Sequence, residues 1–174
     1  MKITVVRAFS LVEVMVVVAM VGIVSSVSYF YLNPFEHFKK ARDSQRLQNL
    51  NSLKTALVLA LQNGQSFSGR CTLVNPCDSL SGTTNADGSG FVDLDLSKYL
   101  TALPRDPSHN NFSFIDGKGN ASPAAFQFVA SGSDFEIRTR LESKFFTTNP
   151  NDKYLDDGGD DNDYFETGTK LTIL

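Results

Sequence analysis

The sequence predicts an α+β fold: a long N-terminal helix, membrane-spanning over its first half, packed on a small antiparallel sheet of about three strands. Three observations carry this. An apolar run from Phe9 to Leu32 holds a single charged residue, Glu13. A stripe of Leu47, Leu50, Leu53, Leu57 and Leu61 follows at helical spacing. Three short segments of β-favouring residues then alternate with Gly- and Asp-rich turns.

The first element is set by its length and its flanks. At about 1.5 Å per residue, Phe9–Leu32 makes a helix of roughly 36 Å, enough to cross a hydrocarbon core of about 30 Å. Lys2 and Arg7 precede it, and no Lys or Arg follows before Lys39, so the short basic end stays cytoplasmic and the rest lies outside. A secretory signal peptide has a shorter apolar region, of about 7–15 residues. A plain membrane anchor explains length and orientation but not Glu13. A carboxylate at the centre of a bilayer helix costs about 2.5–3.5 kcal/mol on insertion scales, and no Lys, Arg or His lies between Phe9 and Leu32 to pair with it.

The stretch Arg7-Ala8-Phe9-Ser10-Leu11-Val12-Glu13 resembles the processing motif of type IV prepilins and pseudopilins. In that family a small residue, usually glycine, precedes the cut, a phenylalanine follows, and a glutamate lies four residues further on. The resemblance implies a leader of residues 1–8 removed by a prepilin peptidase between Ala8 and Phe9, N-methylation of Phe9, and an assembly role for Glu13. It supplies the missing partner too, since the new amine of Phe9 in one subunit can pair with Glu13 of its neighbour. It further implies a pilin-like fold and a homo-oligomeric helical filament built by assembly machinery in the membrane. The precursor is then an inner-membrane protein with its head outside, and the product a pilus or pseudopilus.

Beyond the span, residues 33–64 read as an amphipathic continuation of the same helix, bent at Pro34 and stopped at Asn63-Gly64. Residues 65–174 read as the head. Its first part, Gln65–Gly90, is a Gly/Ser/Thr/Asn-rich loop holding Cys71 and Cys77, the chain's two cysteines. An isolated pair in an exported domain reads as one small disulfide loop, the alternative being two buried thiols; a metal site needs more ligands nearby. Asp95–Leu103 reads as a short helix stopped by Pro104. Asn111–Ile115, Ala125–Ala130 and Phe135–Leu141 read as strands of an antiparallel meander that covers the leucine stripe.

The chain has 174 residues, is 41% hydrophobic and carries a net charge of -3. That allows one modest domain with an attached element. It offers no clustered basic surface and hence no nucleic-acid site. His37 and His109 are isolated, no phosphate-binding glycine loop occurs, and an enzyme is not expected. The run Asp156-Asp-Gly-Gly-Asp-Asp-Asn-Asp163 gathers oxygen donors around glycines, a composition that suits calcium, with Asp157, Asp160, Asp161 and Asp163 as donors. It also resembles the calcium loop near the C-terminus of major pseudopilins. The competing reading is a solvated acidic surface. No cofactor is required, and calcium is the one ion that this loop's composition suits. Two functions are then open: a filament subunit, or a monomeric membrane-anchored binding protein using its head outside the cell.

Overall fold

The computed structural model describes residues 9–109 and 113–174, with the side chains of residues 30–32 excepted. The chain divides into two units after His37. The expected leader 1–8, with Ala8, lies outside the described residues.

In the first unit, α1 spans Leu11–Leu32. Leu11–Tyr29 is long and apolar enough to cross a membrane, and none of it is buried by the protein. Ser26 and Ser28 do not break this apolar surface, because their hydroxyls donate to the carbonyls of Gly22 and Val24, at 2.8 and 2.9 Å. Such bonding back into the helix satisfies groups that lipid cannot. α1 ends at Asn33, whose φ of 35° is left-handed, and Pro34 opens α2, Pro34–Gln62. The single helix expected over residues 9–62 is therefore two helices. Proline has no N–H to continue the ladder and biases its predecessor out of the α region, while Asn tolerates the left-handed turn.

In the second unit, the buried face of α2 is Asp43, Arg46, Leu50, Leu53, Ala56, Leu57 and Ala60. Leu47 and Leu61 fall on its half-buried margins. The stripe packs with Phe91, Leu96, Leu103, Phe126, Phe128, Phe135 and Ile137 into one core. The main sheet has four antiparallel strands in the order β1-β4-β5-β6: β1 Cys77–Asp78, β4 Gln127–Ser131, β5 Asp134–Thr139 and β6 Phe165–Gly168. β4 and β5 form a hairpin with Phe128 opposite Ile137 and Ser131 opposite Asp134, closed through Gly132 at φ 65°.

Two of the expected strands are this hairpin. The third is not part of the sheet. Phe114–Ile115 (β2) pairs with Ala121–Ser122 (β3) in a separate two-stranded ladder, and residues 111 and 112 of that expectation lie outside the described residues. β1 and β6 take the two outer places of the main sheet instead. The expected helix over 95–103 is one turn, Leu100 N–H to Leu96 O at 2.9 Å. Asp95 Oδ1 accepts from the N–H and hydroxyl of Ser97, a local bond that competes with helix propagation. Two short helices, α3 (Lys144–Thr147) and α4 (Lys153–Asp156), complete the unit.

The disulfide is present: Cys71 and Cys77 are bonded with Cα atoms 5.2 Å apart. Thr72 and Asn75 exchange backbone bonds at 3.1 and 3.0 Å inside this loop, leaving Leu73 and Val74 at its tip.

Candidate functional site

Ser10 is the N-cap of α1 and Glu13 its third residue, the two ends of a capping box. The backbone N–H of Ser10 donates to Glu13 Oε2 at 3.2 Å. Phe9 precedes the cap and Val14 follows Glu13, the two positions of a hydrophobic staple. Phe9, Glu13, Val14, Val17 and Val18 line one shallow groove of about 360 Å³ on the helix. Phe9, just before the cap, and Glu13, in the first turn, thus border the same groove. Ser10 is a partner of Glu13 beyond those expected from the sequence, and Ser-Leu-Val-Glu is the capping signature that encodes it.

The acidic loop is held by partners within the chain. Asp157 accepts from Gly159 N–H at 2.9 Å and Glu166 N–H at 2.7 Å, one bond to each oxygen. Asp161 pairs with Arg138 Nη1 at 3.2 Å and accepts from Asp163 N–H. Asp163 pairs with Lys118 Nζ at 3.1 Å. Asp160 is exposed. Among the described residues no three His, Cys, Asp or Glu side chains gather into a metal seat. As arranged, a calcium ion would have to take Asp161 from Arg138 and Asp163 from Lys118.

Beneath this loop Glu136 of β5 and Glu166 of β6 are buried on the sheet face turned away from the α2 core. Glu136 Oε2 accepts from the N–H groups of Ile173 and Leu174, and Glu166 Oε2 from that of Asp161. The Oε1 atom of each has no hydrogen-bond partner. Burial pushes the Glu166 carboxyl up to about 8; the Asp161 N–H opposes the rise and the neighbouring Glu136 carboxyl adds to it. Burial raises Asp157 as well.

A second buried group fastens α2 to the head. Arg46 bonds Asp106 through Nε at 2.7 Å and Nη2 at 2.9 Å, Asp43 through Nη1 at 2.7 Å, and Glu142 through Nη2 at 2.5 Å. Asp43 in turn accepts from the N–H groups of Glu142 and Ser143. Arg42 adds a second cation to Glu142. Burial alone would raise the Glu142 carboxyl, but Arg42 and Arg46 hold it down to about 2. The signal for this cluster was Asp43 and Arg46 lying on the same spacing as the leucines, where solvated charges do not belong.

A family described as the prokaryotic N-terminal methylation motif matches residues 4–29. This is the prepilin-type signal of type IV pilins and pseudopilins, and it contains Ala8, Phe9, Glu13 and most of α1. No curated protein and no solved structure matches the chain.

Proposed function

We propose that this chain, which carries a prepilin-type signal at residues 4–29, is a structural subunit of a type IV pilus or of a pseudopilus like those of type II secretion. A prepilin peptidase cuts between Ala8 and Phe9, Phe9 is methylated, and the mature chain polymerises through α1. The observation that supports the reading best is that Phe9 and Glu13 line one groove at the start of α1 within that signal. A carboxylate in lipid is favourable only when a cation meets it, and the amine created at Phe9 of a neighbouring copy is such a cation. The apolar, unburied surface of α1 suits the same role, first in lipid and then among other copies of itself. The motif supports a structural precursor rather than an enzyme.

Intact-mass analysis and N-terminal sequencing of the membrane-extracted protein test this. A chain starting at methylated Phe9, with filaments recovered by shearing, is the expected result. An uncut chain starting at Met1, monomeric in cells with an active peptidase, would instead make it a membrane-anchored binding protein.

A further inference from the structure

Among the exposed apolar residues of the second unit, two groups lie at opposite ends of its β4–β5 hairpin. At the turn end stands the tip of the disulfide loop, where Leu73 is 61% and Val74 95% exposed. The loop is held rigid by the Cys71–Cys77 bond and the Thr72–Asn75 bridge, and Ala130 N–H donates to Cys71 O at 2.8 Å to fix it to the end of β4. The tip walls a groove of about 510 Å³ whose other sides include Gly69, Ala130, Gly132 and Lys170. At the opposite end, α4 exposes Leu155, at 53%, beside the exposed carboxylate of Asp156. That helix is anchored by buried Tyr154, whose hydroxyl accepts from Leu141 N–H at 2.7 Å just past the end of β5.

We propose that the groove beside Leu73 and Val74 receives α4 of a second copy of this chain, with Leu155 against the aliphatic tip and Asp156 paired with Lys170. Each side presents an aliphatic group next to an exposed charge, Lys170 beside the groove and Asp156 beside Leu155, and these two are opposite. Among the described residues neither Lys170 nor Asp156 is in an ion pair. Both apolar groups sit on anchored backbone, so little ordering entropy opposes docking. The six residues of β5 separate the two surfaces by roughly 17 Å or more, so they cannot meet within one chain. A contact between opposite ends of identical subunits is heterologous, and where its rotation does not close it repeats without limit. The contact rests on the filament reading and adds to it a head-to-head-domain joint that the N-terminal signal does not imply.

The test uses the full chain in cells that assemble it. Val74 is replaced by the photoreactive residue benzoylphenylalanine, filaments are irradiated, and cross-linked peptides are identified by mass spectrometry. The expected product joins the peptide of residue 74 to the peptide of Leu155 from another copy. Lys170→Glu and Asp156→Lys should each lower sheared filament yield about tenfold at unchanged membrane level, and the double swap should restore it to within about twofold, because the pair is re-formed with its sign reversed. Cross-links to another part of the neighbouring copy, normal yield from both single variants, or a swap no better than its parents would each overturn the contact while leaving the filament reading intact. Absence of filaments from the unaltered chain would overturn the filament reading itself.

Discussion

Arg46 of α2 and Asp106 meet in a two-point contact, Nε to Oδ2 at 2.7 Å and Nη2 to Oδ1 at 2.9 Å, with both side chains fully buried. The pair joins the helix to a loop sixty residues away in sequence. Planar guanidinium and carboxylate fit each other in this fork, which sets the rotation of α2 as well as binding it.

Arg46→Ala leaves Asp43, Asp106 and Glu142 buried without their shared cation. Breaking a buried pair from one side typically costs about 3–5 kcal/mol. We expect a loss of this size in urea unfolding of the detergent-solubilised chain. Arg46→Lys should recover part of it, since one ammonium cannot reach three carboxylates in the same fork. A loss below about 1 kcal/mol for the alanine variant would mean that the network adds little beyond packing.

Stability should fall on both sides of a maximum near pH 4.5. Glu142 is held at about 2 against an ordinary 4.5. Its contribution is complete above 4.5 and is lost as pH falls towards 2, where the unfolded chain binds more protons than the native one. Glu166, raised to about 8, acts in the opposite direction. Its contribution is complete below 4.5 and is lost as pH rises to about 8, and Asp157 and Asp43, also raised by burial, add to this limb. Glu166→Gln keeps the shape and removes the titration, so it should flatten the alkaline limb. Urea midpoints measured across pH would show an unchanged slope if Glu166 were not the titrating group.

Glu13 has two separable roles. Glutamine can accept the Ser10 N–H as glutamate does. Glu13→Gln should therefore keep α1 capped, the precursor in the membrane and the cut at Phe9, while filament yield drops severalfold or more for want of a counter-charge. Glu13→Val loses both bond and charge and should assemble no better. Normal filaments from the glutamine variant would reduce Glu13 to a helix cap.

Chelation should leave the melting temperature of the chain within about 1 °C of its value in calcium, because Arg138 and Lys118 already take Asp161 and Asp163. A calcium-dependent rise of several degrees, of the kind that binding to the folded form alone produces, would mean that the ion displaces those two cations.

What the sequence determined by itself was everything written in local terms. The apolar run, the Phe9–Glu13 spacing, the leucine stripe, the nearby cysteines and the hairpin turn at Gly132 each depend on residues a few positions apart. Their conformational preferences survive without knowing the rest of the chain. The break at Asn33 belongs with them, since the chemistry of the following proline explains it. Tertiary structure decided the rest. β6 is four residues long with no alternation of its own, and it becomes a strand because β5 offers unpaired backbone to it. β2 is turned aside to pair with β3, a choice between partners that no single segment encodes. The carboxylates followed the same rule. Exposed in an extended chain, Glu136, Glu142 and Glu166 look alike, yet folding gives Glu142 two guanidinium partners and gives Glu166 another acid. Their chemistry is set by neighbours that come from distant parts of the sequence, and burial makes each of those neighbours count.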